Sequence, residues 1–90
     1  MDINVFFNYK VTHKNKYSYL NEDGDFRDDE TINTNVMSGG ELMELISRLL
    51  HCEDTIDIAE KENRVFVGMF NELSGETADH EIEYEKVEET

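Results

Sequence analysis

Ninety residues with 22 acidic and eight basic side chains, 38% hydrophobic content and one cysteine leave room for a single modest core and for no internal disulfide. The formal charge of −14 repels DNA, RNA and anionic lipid over about 8 Å at physiological salt, so direct nucleic-acid binding and membrane association are not expected. Basic protein surfaces are attracted by the same field.

Ile3, Val5, Phe7, Tyr9 and Val11 alternate with Asn4, Phe6, Asn8, Lys10 and Thr12, the period of a strand with one buried face, and Phe6 suggests an apolar contact on part of the other. The polar run His13-Lys14-Asn15-Lys16 then predicts a turn, and Tyr17 to Leu20 a second strand antiparallel to the first. Asp23-Gly24 marks a tight turn, since glycine accepts the positive φ such turns need. A short third strand is expected over residues 31–36.

The strongest local signal follows. Ser38-Gly39-Gly40-Glu41 fits a capping box, and Leu42, Leu45, Ile46, Leu49 and Leu50 form one apolar stripe, predicting an amphipathic helix over residues 39–52. Beyond it, Ile56 and Ile58 read as a strand, Lys61-Glu62-Asn63 as a turn, and residues 64–70 as a buried strand through Val65, Val67 and Met69. Gly75 lies in another loop, and a last strand over residues 80–87 sets Ile82 and Tyr84 opposite Glu81, Glu83 and Glu85. The expected fold is α+β, a small mostly antiparallel sheet of four to five strands in the order β-β-(β)-α-β-β-β, with one helix packed on one face.

The boundaries expected from composition are one acidic domain over residues 1–87 and a frayed acidic C-terminus over residues 88–90. Nine aromatic residues and clean periodicity argue against disorder at this charge density. No apolar run approaches the roughly 18 residues of a membrane span, and Asp2 and Lys10 interrupt what would be a signal peptide. A cytoplasmic protein is expected, encoded as a complete small gene product.

The stretch YLNEDGDFRDDE, residues 19–30, resembles a calcium loop when Gly24 is set at the sixth position. Asn21, Asp23, Asp25 and Glu30 then fall at ligand positions, but the first position is Tyr19, a neutral phenol, and the flanks read as strands where the motif needs helices. A solvated hairpin turn is the preferred reading. His13, His51, Cys52 and His80 form no paired zinc spacing, so no metal and no cofactor is expected. Cys52 has no marked activating base and reads as a small half-buried thiol, with His51 near the negative end of the helix dipole. None of the five lysines has an acid two residues before it, as a metal-dependent nuclease element would require, and no lysine follows Gly39-Gly40 to cradle phosphate. An enzyme is not expected.

What remains is the charge, and it is unevenly placed. Residues 1–20 hold Asp2 against Lys10, Lys14 and Lys16, a local +2, while the other seventy hold 21 acids and five bases, −16. Strand geometry spaces Glu81, Glu83 and Glu85 by roughly 6.8 Å along one edge, and with Glu72, Glu76, Asp79, Glu88 and Glu89 they could make one acidic ridge. The 22–30 loop could make another. Fixed carboxylates on a rigid sheet imitate a phosphate backbone to a groove lined with Arg and Lys.

Small size, absent catalytic motifs, one helix on a short sheet and extreme acidity are together similar in character to phage-encoded inhibitors of host nucleases, including anti-CRISPR proteins and anti-restriction DNA mimics. The similarity is one of type and rests on no diagnostic motif. It implies a basic nucleic-acid-binding partner, such as a CRISPR effector or another nuclease, met in the host cytoplasm. The expected contact residues are Asp23, Asp25, Asp28, Asp29 and Glu30 in the loop and Glu81, Glu83 and Glu85 in the last strand. The competing reading is an immunity or antitoxin-type protein, or an adaptor that binds through apolar residues such as Phe6, Phe66 or Phe70. Oligomeric state is left open.

Overall fold

A computed structural model describes residues 3–87. Five strands and one helix follow in the order β1 (Asn8–Leu20), β2 (Phe26–Ser38), α1 (Gly39–Leu50), β3 (Thr55–Lys61), β4 (Arg64–Phe70) and β5 (Thr77–Lys86). All neighbours are antiparallel, and the spatial order is β2-β1-β5-β4-β3. The broad α+β expectation holds, with two corrections to its elements.

The first correction concerns the N-terminal half. Residues 3–7 precede the sheet, and the two strands expected over 3–11 and 17–20 are one thirteen-residue strand, β1, running straight through His13-Lys14-Asn15-Lys16. That run keeps the two-residue alternation: His13 and Asn15 share the face of Tyr9 and Val11, while Lys14 and Lys16 point to the other side. A polar run therefore need not be a turn when both neighbouring strands satisfy its backbone. Likewise, the short strand expected over 31–36 is the second half of β2, which begins at Phe26 and takes in the charged Asp28-Asp29-Glu30.

The second correction is the sheet order. The last strand, β5, inserts between β1 and β4 and so lies at the centre. The expected acidic C-terminus over residues 88–90 lies outside the described residues.

The sheet has one face under the helix and one open face. Under the helix, Tyr9, Val11, Val65, Val67, Ile82 and Tyr84 meet Leu42 and Ile46 of α1, and all eight are buried. Burial of each apolar side chain contributes roughly 1.5–3 kcal/mol before chain entropy is subtracted. The Tyr9 and Tyr84 rings meet edge to face, 5.9 Å between centroids. Their hydroxyls are used as well: Tyr9 accepts from the Asn4 amide at 2.9 Å and Tyr84 donates to the Glu62 carbonyl at 3.3 Å.

The helix starts where the capping signal places it. The Ser38 hydroxyl accepts from the Glu41 amide at 3.2 Å and meets the Glu41 carboxylate at 3.4 Å. Gly39 is required by the close approach of the N-terminal segment, because a Cβ there would fall on the Asn4 carbonyl. At the other end the helix stops two residues short of expectation. His51 caps it through Nδ1, 2.8 Å from the Ser47 carbonyl, and the Thr55 hydroxyl donates to the Leu49 carbonyl at 2.6 Å. Cys52 is exposed, not half-buried. No helix among the described residues is long and apolar enough to cross a membrane.

Candidate partner-binding surface

Two turns built alike stand at one end of the sheet. Between β1 and β2, the Asn21 side-chain oxygen accepts from the amides of Asp23 (3.0 Å) and Asp25 (2.9 Å), and the Gly24 amide donates to the Asn21 carbonyl with Gly24 at φ 82°. This is a three-residue hairpin loop closed by a left-handed glycine. Between β4 and β5, Asn71 accepts from Leu73 (3.0 Å) and Ser74 (3.1 Å), and Gly75 adopts φ 77°. Phe26 links the two, since a Cβ at Gly75 would lie 3.3 Å from its ring.

The suggestive 19–30 stretch is thus a hairpin tip with its Asn side chain committed to the turn. No group of three His, Cys, Asp or Glu side chains among the described residues is arranged to hold a metal. Asp23 and Asp25 are exposed in the turn, Asp28 and Glu30 project from the open face of β2, and Asp29 projects from the helix side, where the Tyr17 hydroxyl donates to it at 3.4 Å. Glu72 and Glu76, grouped by sequence with the C-terminal acids, instead belong to the second turn. Residues 21–30 and 71–76 together hold eight acids and one base, Arg27, a charge of −7 and half of the chain's −14. Leu73 is fully exposed among them and Phe26 is about half exposed.

Glu81, Glu83 and Glu85 lie outside the two turns, although Glu81 lines the same concavity of the open face as Glu30. They lie on the open face of the central strand, where the register sets Glu81 beside Lys14, Glu85 beside Lys10 and Asp79 beside Lys16. On the other flank the Arg64 guanidinium lies 3.4 Å from Glu83 and 3.7 Å from Glu81. The carboxylate row thus has bases on both flanks, Arg64 in ion-pair contact and Lys10 and Lys14 opposite in register, because β5 is central and not an edge. Around Lys14, Lys16, Glu30, Phe66, Asp79 and Glu81 the open face forms a concavity of about 320 Å³.

No family model matches this chain, and no curated protein or solved structure matches it significantly. What the surface can do thus rests on its own chemistry.

One pairing escaped the sequence reading entirely. On the helix side, beyond the core, His13 Nε2 and His80 Nδ1 are 2.9 Å apart, so one ring donates and the other accepts. Partial burial holds both imidazoles below their ordinary pKa. For His80 the neighbouring His13 adds to this and Asp79 opposes it. The available signal was the unbroken run of odd positions from Tyr9 to Tyr19, which puts His13 on the core face.

Proposed function

We propose that this protein is a non-catalytic inhibitor that presents the acidic end of its sheet to a basic, nucleic-acid-binding surface of a nuclease. The observation that supports the reading is the convergence of two acidic turns and the adjoining stretch of β2, eight acids with one base, while the other carboxylate row is matched to Lys10, Lys14 and Arg64. Asp23, Asp25, Asp28, Asp29 and Glu30 carry the contact, joined by Glu22, Glu72 and Glu76. Exposed Leu73 and Phe26 supply an apolar centre within this charged rim, the layout of a protein interface.

Mimicry follows from the fixed spacing. Asp28 and Glu30 share a face two strand positions apart, roughly 6.8 Å, on a backbone held by the β1 ladder. A groove lined with Arg and Lys to hold phosphates meets preorganised carboxylates and gains the same steering.

The test is capture of nucleases and other nucleic-acid-binding proteins from bacterial lysates, followed by challenge with duplex DNA and with salt. Release of the captured protein by both supports mimicry. Capture that DNA does not displace overturns it and favours an adaptor contact through Leu73 and Phe26, which Leu73→Ala would then abolish.

A further inference from the structure

The outer edge of β2 has a self-complementary stretch. The Gly39 amide donates to the Phe7 carbonyl at 2.7 Å, one step beyond the Asn8–Ser38 pair, so odd-numbered residues of β2 exchange backbone bonds with β1. Even-numbered residues therefore aim their N–H and C=O groups outward, along an edge exposed from Phe26 to Val36. Within that edge, residues 31–37, TINTNVM, contain no charge and no proline. Natural edge strands are normally blunted by charge, proline or a bulge. The opposite edge, β3, has all but the proline: Asp57, Glu60 and Lys61 lie along it, and its register breaks between Thr55 and Asp57.

We infer that β2 pairs antiparallel with β2 of a second copy of this chain, about a two-fold axis at Thr34. In that register Thr34 opposes Thr34, Ile32 opposes Val36, and Glu30 opposes Ser38 at the start of the other copy's α1. The outward backbone groups of residues 32, 34 and 36 meet their counterparts in step. Thr34 shares its face with Thr12, their hydroxyls 3.4 Å apart, so Ile32 and Val36, 57% and 65% exposed, meet across the junction on the open face. Each becomes a cross-strand apolar pair. The charges sort themselves too. Asp28, Asp29 and Glu30 of one copy face the positive end of a helix, not one another. The β1–β2 turns of the two copies, each about 27 Å from the axis by strand rise, point to opposite ends of a continuous ten-stranded sheet. The acids of each copy's two turns, Glu22, Asp23, Asp25, Glu72 and Glu76, stay open to a partner in this pairing, whereas Asp28, Asp29 and Glu30 lie at the junction of the copies and are shared between the two contacts.

Sedimentation velocity of the full chain over a wide concentration range reads the association directly. A concentration-dependent dimer is expected. Thr34→Lys, at an exposed position, sets two ammonium groups opposite each other at the axis and should weaken association by about tenfold or more with unchanged circular dichroism. In a Cys52→Ser background, Thr34→Cys should oxidise to a covalent dimer, since opposed Cα atoms about 5.5 Å apart suit a disulfide, whereas Ile56→Cys on β3 should not. A chain that remains monomeric at the highest concentration overturns the inference, and so does a dimer indifferent to Thr34→Lys and to the position of the cysteine.

Discussion

Two sets of carboxylates in this molecule alternate along strands with the same spacing and have opposite electrostatic fates. Asp28 and Glu30 stand on an edge strand beside the acidic turns, with Lys16 opposite Glu30, Ser18 opposite Asp28 and no strand on the outer flank. Glu81, Glu83 and Glu85 stand on the central strand between Lys10 and Lys14 on one flank and Arg64 on the other. What makes a carboxylate row available to a partner is its place in the sheet, which alternation cannot report. The β5 row is flanked by Lys10 and Lys14 in register and is in ion-pair contact with Arg64, whereas in the hairpin row only Glu30 has a base opposite it, Lys16.

The largest effect that would break this contrast is on binding. Reversing Asp28, Asp29 and Glu30 together to lysine should slow association with a basic partner by about 10- to 1,000-fold and flatten its salt dependence, measured by surface plasmon resonance. An unchanged on-rate would remove the hairpin from the contact. Neutralising Glu81, Glu83 and Glu85 to glutamine should leave the on-rate within about twofold, since paired charges contribute little to the outward field.

Stability sharpens the contrast from the other side. Ile82→Ala, on the buried face of the same strand, should cost about 2–5 kcal/mol in urea denaturation, because Ile82 is fully buried beneath α1. Next comes pH. His13 and His80 both have folded pKa values below the unfolded 6.5, so the unfolded chain takes up protons first and stability present above pH 6.5 is lost as pH falls below it. Thermal melts should show a lower Tm at pH 5.5 than at 7.5, and His80→Asn should reduce that difference. The smallest effect belongs to the Glu81, Glu83 and Glu85 glutamine variant, whose half-exposed pairs should cost at most about 1 kcal/mol in the same denaturation experiment.

Local structure was legible where a signal and its consequence lie within a few residues. Ser38 and Glu41 mark the helix start, the Leu42-to-Leu50 stripe marks its buried side, and Asp23-Gly24 marks the hairpin turn. β3 and β4 were legible from alternation and the intervening Glu62-Asn63 turn. The continuity of β1 through His13 to Lys16 was not, because lysines on an open face and lysines in a turn have the same composition. Only the acids of β2 and β5 on either side decide between them, and those lie some 14 and 67 residues away in sequence at Lys16–Glu30 and Lys14–Glu81. The same distance hid the sheet order, the fate of the β5 carboxylates, the joining of Glu72 and Glu76 to the hairpin tip, and the His13–His80 pair.

The central place of β5 also sets the order in which the chain can become a protein. The β1–β2 hairpin and the β3–β4 hairpin share no backbone bond; each is bonded only to β5. As the chain leaves the ribosome, the two hairpins emerge first and neither can close the sheet on the other. Residues 77–86 then arrive as the wedge that locks both. Closure of the sheet therefore waits for β5, and a nascent chain stopped short of Thr77 holds two hairpins joined only through α1, with their inner edges bare.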